Sequence, residues 1–201
     1  MKRAALLLAL MGGLSAAAQA LAIDPAALRD GRVMVEPVTS GGLPGKTFVA
    51  TMLINAPVSK LCAIVSDYTA YPAYMPNTAN TVVSDKRPDH TVIDMTLKLP
   101  LGKIKKYRLR MDPQHTPQAC HLAWKQIPWE GLTPDETIAD TTGYWHMTPS
   151  PSEPGKTVVE YYVYADPGHV PFGLGWIVDI MSKESLPRTL EALRDRAAQL
   201  D

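Results

Sequence analysis

The side chains able to do chemistry are few in this 201-residue chain, and their spacing narrows what they can do. The five histidines are His90, His115, His121, His146 and His169, and none is set with another donor at metal-ligand spacing such as H-x-x-x-H. Cys120 and His121 are adjacent, but neighbours in a strand point to opposite faces, so they do not form one donor set. No metal or cofactor is expected. The nucleophile elbow G-x-S-x-G, the P-loop and the G-x-G-x-x-G fingerprint are all missing, and Gly173-Leu-Gly175 lacks the third glycine. For proton transfer the candidates are Tyr107, Tyr144 and His146. The alternative reading makes them wall aromatics whose polar tips reach a water or a ligand headgroup. No complementary acid/base pair stands out, so no residue is assigned a catalytic role.

Two further groups need placing. Cys62 and Cys120 lie in the apolar runs KLCAIV and ACHLAW, where buried free thiols are common. An exported protein could equally join them as a disulfide. The stretch DYTAYPAYMPN, residues 67–77, sets Tyr68, Tyr71 and Tyr74 three apart, while Pro72 and Pro76 limit any helix there to about one turn. That spacing suits a wedge between elements better than an active site.

The elements that must hold these residues follow from periodicity. Gly31–Glu36 and Lys46–Asn55 have strand composition and flank the turn-rich TSGGLPG, which predicts a hairpin. Pro57 opens a short helix with Val58, Leu61, Cys62 and Val65 on one face, and Asp67 ends it and caps a second. From Thr81 to Asp166 apolar residues alternate strand after strand: Ile93, Met95, Leu97 and Leu99; Tyr107, Leu109 and Met111; Cys120, Leu122 and Trp124. Pro113, Pro117, Pro128 and Pro134 are assigned to the connections. From Phe172 to Leu200 the period becomes helical, with a stripe of Leu174, Ile177/Val178, Met181, Ser185/Leu186, Leu190, Leu193 and Ala197. Pro187 predicts a kink or brief break near Lys183–Ser185. A one-sided antiparallel sheet must cover its apolar face, and this helix is the only long apolar-striped element available.

The ends and the composition set the compartment. MKRAALLLALMGGLSAAAQALA has a basic start, an apolar run too short to span a bilayer, and the small-residue sites Ala18-x-Ala20 and Ala20-x-Ala22. Residues 1–22 are therefore expected to be a signal peptide, residues 23–201 one domain, and the protein to be secreted across an inner membrane into a periplasm. Basic and acidic side chains are balanced at 20 each with no Lys/Arg block, which excludes a nucleic-acid footprint.

Three segments together resemble a known family. INAPVSKLCAIVSDYTAYPAYMPN, VVEYYVYADPGH and HVPFGLGWIVDIMSKESLPRTLEALR are similar, in that order, to the START (steroidogenic acute regulatory protein-related lipid-transfer) superfamily, also called SRPBCC, which includes polyketide cyclase-like proteins. The resemblance spans about Thr47 to Ala197. It implies an α+β helix-grip fold: a curved antiparallel sheet wrapped around a long C-terminal helix, with two short helices after the first strands. It also implies a cavity between sheet and helix for a hydrophobic ligand, such as a lipid, sterol-like or isoprenoid molecule, that the protein binds or transfers. The alternative is a cyclase or dehydratase using the same cavity. Alternation assigns Ile93, Met95, Leu97, Tyr107, Leu109, Met111, Leu122 and Trp124 to the cavity from the sheet, and Leu174, Ile177, Val178 and Met181 from the helix. Three of these are Met, whose flexible thioethers suit an adaptable wall. The loops IPWEGLTPDE and HVPFGLG carry Trp129 and Phe172, expected to touch a membrane transiently unless Trp129 packs beneath its own loop. The protein is expected to be a monomer.

Overall fold

The computed structural model describes residues 28–29, 31–39, 41–116, 118–168 and 175–200, with the backbone alone for 175–183. The segment assigned to a leader lies outside the described residues. The chain forms strands β1 (Met34–Val38) and β2 (Lys46–Ile54), helix α1 (Val58–Ser66), a 3-10 turn (Tyr68–Ala70) and helix α2 (Tyr71–Tyr74). Strands β3 (Thr78–Lys86), β4 (Thr91–Lys98), β5 (Ile104–Thr116), β6 (Ala119–Ile127), β7 (Asp140–Pro149) and β8 (Thr157–Asp166) follow, then helix α3 (Gly175–Gln199). All eight strands join one sheet in the order β1-β2-β8-β7-β6-β5-β4-β3, every neighbouring pair antiparallel. The first hairpin thus closes onto the last strand, and the two short helices cross from one edge to the other.

Strand alternation sorts the sheet into two faces. On the concave face lie Ile93, Met95, Tyr107, Leu109, Met111, Cys120, Leu122, Trp124, Trp145, Met147 and Val159, all buried. The second half of α3 meets them with Leu186, Leu190, Leu193 and Ala197, also buried and spaced at helical period. The convex face is polar: Arg108 grips Asp94 through two bonds of 2.6 and 2.8 Å across β4 and β5. This division is the one the alternating pattern demands, because a register slip of one residue would turn the apolar set to water.

Two details depart from the sequence reading. Pro113 lies inside β5, opposite Leu122, not in a connection. Pairing between β4 and β5 ends at Met111, so beyond it one side of β5 is free and a missing N–H costs no ladder bond. Helix α3 runs through Lys183–Ser185 without the expected break, although Pro187 sits inside it. Its buried face toward the sheet holds the turn in place despite the lost donor.

Helix α1 closes the far end of the concave face with Leu61, Ile64 and Val65. Its entry is fixed where the Thr157 hydroxyl donates to the Ala56 carbonyl at 2.6 Å. Asp67 ends α1 and begins the 3-10 turn, as its position suggested, but its carboxylate accepts from the Thr69 hydroxyl and caps no backbone N–H. Tyr71 and Tyr74 turn back to donate to the carbonyls of Val65 and Ile64. The three tyrosine rings pack edge to face at 5.8 and 5.9 Å. DYTAYPAYMPN is therefore the wedge that seats the helix pair.

Cys62 on α1 and Cys120 on β6 form a disulfide, which resolves the alternatives left open for the two thiols. His115 joins them, its Nδ1 3.0 Å from Cys62 Sγ and 3.5 Å from Cys120 Sγ. Sulfurs bonded to each other have no thiolate to offer a metal, so this group is a covalent tie and not a cation site. The cysteines are 58 residues apart, and closing a loop of that size contributes about 4 kcal/mol by restricting the unfolded chain. Replacing both by serine should lower Tm by about 10 °C in calorimetry. An unchanged Tm would show that the tie adds nothing to a helix already seated by packing.

Candidate ligand-binding cavity

Between the sheet and α3 lies a cavity of about 670 Å³. Helix α1 and the wedge fill the concave face at one end, and among the described residues nothing equivalent fills the other. The walls come from β2 (Phe48), β4 (Met95, Leu97), β5 (Tyr107, Leu109, Met111), β6 (Trp124), β7 (Thr141, Trp145), β8 (Tyr161, Val163, Ala165) and α3 (Leu186, Thr189). Tyr71 and Met75 reach it from the wedge. Charged residues gather at the mouth, where Lys46, Lys103 and Asp135 are exposed, with Lys105 and Asp166 beside them.

The inner wall is a cluster of aromatic rings that hold one another. Tyr161 stacks on Trp124 at 5.4 Å and leans on Trp145 at 4.2 Å. Trp124 lies directly across from Gly143, and its ring occupies the space a Cβ at 143 would need. Glycine is what lets the indole lie flat against β7. Burial pushes the phenols of Tyr71, Tyr107 and Tyr161 well above the ordinary tyrosine range, so each stays a neutral O–H.

Of the residues assigned to the cavity from sequence, Met95, Leu97, Tyr107, Leu109, Met111 and Trp124 line it. Ile93 and Leu122, both 0% exposed, sit instead in the packed core together with the buried residues of α1. Leu174, Ile177, Val178 and Met181 lie outside the residues whose side chains are described. Phe48, Tyr71, Trp145, Tyr161 and Val163 were not anticipated. Their signal was present in the alternation of YWHM and VVEYYVYA, which places Trp145, Tyr161 and Val163 on the inner face.

The proton-transfer candidates do not converge. Tyr107 faces the cavity, whereas Tyr144 and His146 are on the convex face. There Tyr144 donates to Glu160 at 2.7 Å and stacks on Tyr162, and His121 lies 5.0 Å from Tyr144 and 5.5 Å from His146. Among the described residues no histidine lines the cavity. Trp129 is half-buried beneath the Arg108 guanidinium, 5.0 Å from its ring centre, and so is not a projecting contact. Phe172 lies outside the described residues. Among the described residues, apolar side chains that do project include Leu101, 73% exposed, and Ile104, 45% exposed, at the β4–β5 turn.

Comparison with solved structures places this architecture. A STAR-related lipid transfer protein from Xanthomonas axonopodis superposes with a TM-score of 0.70 at 18% identity, covering 83% of this chain and 93% of that one. Human StAR-related lipid transfer protein 5 gives 0.72 at 14% identity, covering 86% and 85%. The Zhui aromatase/cyclase from Streptomyces sp. R1128 gives 0.61 at 12%, covering 83% and 95%. The fold is the START helix-grip fold. No protein-family model and no curated protein sequence matches the chain, so the likeness is carried by the backbone. In this frame the sheet and the C-terminal helix grip the cavity described above.

Gly143 offers a direct handle on that site. Gly143→Ala should force Trp124 off β7, cost about 1–3 kcal/mol of stability and shift tryptophan emission. Thermal melts and fluorescence spectra of the variant would check both, and wild-type values for both would mean that the indole has room to spare.

Proposed function

We propose that this protein is an exported carrier that holds a lipid, sterol-like or isoprenoid molecule in its helix-gripped cavity while it crosses an aqueous compartment. The observation that carries this reading is the cavity itself: about 670 Å³ of largely apolar and aromatic wall, with charge confined to the mouth. Burial contributes about 0.8 kcal/mol per methylene, so some 15 methylenes supply on the order of 12 kcal/mol before the costs of association. No charged anchor is needed inside. The basic, apolar and small-residue pattern of residues 1–22 supports export, and a disulfide is at home in an oxidising periplasm. A cyclase or dehydratase would need a convergent acid/base pair, and Tyr107 is separated from Tyr144 and His146 by the sheet.

A carrier must meet a membrane to load and unload. The β4–β5 turn suits that step better than the Trp129 loop. Leu101 stands at its tip with a left-handed backbone (φ 61°), and Ile104 projects beside it. Lys98, Lys103, Lys105 and Lys106 flank them without an acidic residue from 98 to 106, and Leu99, Lys103 and Lys105 also line the cavity. Apolar tips inside a ring of lysines match an anionic bilayer surface. Among the described residues no helix is long and apolar enough to cross a membrane.

Native mass spectrometry of protein isolated from its own host should reveal a co-purifying hydrophobic molecule of defined mass. Protein that is reproducibly empty and takes up no lipid on incubation would overturn the carrier reading. The paired change Leu101→Ser and Ile104→Ser should slow transfer between vesicles containing phosphatidylglycerol at least fivefold while leaving ligand affinity intact. Equal rates would remove the turn from the exchange step.

A further inference from the structure

The cavity is lined by two tyrosine hydroxyls that no described residue of the protein uses. Tyr71, the third tyrosine there, donates its proton to the Val65 carbonyl. Tyr107 and Tyr161 line the same space, and neither phenol has a hydrogen-bond partner among the described residues. Tyr107 is only 9% exposed, and Tyr161 is fixed between Trp124 and Trp145. Both hydroxyls are therefore left to pair with whatever occupies the cavity, and an acceptor on a ligand would find two donors there.

The surroundings define that acceptor. Among the described residues no charged side chain lines the inner end; the lysines and aspartates of the cavity are grouped at the mouth. A phosphate or carboxylate drawn to the inner end would be desolvated without a counter-charge. The wall beside the Tyr161 phenol is formed by the rings of Trp124 and Trp145, which favour flat, unsaturated groups. We infer that Tyr107 and Tyr161 form a recognition subsite for an uncharged oxygen, a carbonyl or hydroxyl, on a ring at the leading end of the ligand. The ligand then enters ring first, with its tail or any charged group toward the lysine-lined mouth. This rests on the carrier reading and narrows it. Neutral, oxygenated ring compounds are favoured over phospholipids and over plain hydrocarbons.

A matched pair of probes separates the subsite from the cavity. 2-Acetylnaphthalene and 2-ethylnaphthalene have similar shape and differ in the carbonyl, and quenching of tryptophan emission reports binding of either. The wild type should bind the ketone about tenfold more tightly than the hydrocarbon, as expected for two neutral donors. Tyr107→Phe and Tyr161→Phe keep the rings, and the double variant should bring the two affinities within about twofold by weakening the ketone alone. Unchanged affinity for the hydrocarbon, with wild-type Tm, would show that the cavity survives. A preference for the ketone that persists in the double variant, or an equal loss for both probes, would overturn the subsite while leaving the carrier standing. Failure of the wild type to bind either probe would count against the carrier reading and the subsite together.

Discussion

The apolar concave face of the eight-stranded sheet has to be covered, and it is wider than any one helix. Helix α3 supplies Leu186, Leu190, Leu193 and Ala197 to part of that face. The α1 end is filled by Leu61, Ile64 and Val65, with the tyrosine wedge behind them and the Cys62–Cys120 bond tying helix to sheet. What remains is the cavity. It is the remainder left when a strongly curved sheet is closed by one long helix and one short one.

Such a remainder is not free. At about 24 cal/mol per Å³, an empty apolar void of about 670 Å³ would cost on the order of 16 kcal/mol, as much as the whole stability of an ordinary domain. The protein tolerates the space because it opens at one end, so water or a ligand occupies it, and because its walls need no filling to stand. Tyr161 is held by Trp124 and Trp145, Trp124 is held over Gly143, and Tyr71 is held by the Val65 carbonyl. Each ring takes its position from a neighbour in the wall and not from an atom across the gap. A cavity built this way keeps its shape when its contents change, which is what a carrier requires.

Most of the frame was legible in the sequence because each element announces itself by a local period. The alternation through Ile93–Leu97, Tyr107–Met111 and Cys120–Trp124, the helical stripe ending in Leu190, Leu193 and Ala197, and the Tyr-Pro wedge all declared their buried side. What local period cannot give is how far along a face another element reaches. Ile93 and Met95 are equivalent in the pattern, yet one is sealed at 0% exposure in the core and the other lines the cavity, because how far each stretch of a strand is covered depends on elements distant in the chain. The disulfide and its imidazole neighbour were hidden for the same reason, since Cys62 and His115 are 53 residues apart and meet only when α1 docks. The packing of Trp129 could not be read locally, because its partner, Arg108, belongs to another strand.

Strand parity also decides what chemistry the cavity can hold. In β7, Thr141, Gly143 and Trp145 face inward and Tyr144 and His146 face outward, so the residues best suited to proton transfer were placed on the solvent side by a shift of one position. There they form a polar patch on the outer face, with Tyr144 bonded to Glu160 and burial beside His146 holding the His121 imidazole below its usual range. Inside, the tyrosines that remain are pushed the other way, toward weaker acidity, by the same apolar walls that favour a lipid. A phenol of raised pKa is a poor proton shuttle near neutrality but a dependable hydrogen-bond donor. The same burial that disfavours the phenolate thus keeps the cavity's few phenols as neutral hydrogen-bond donors.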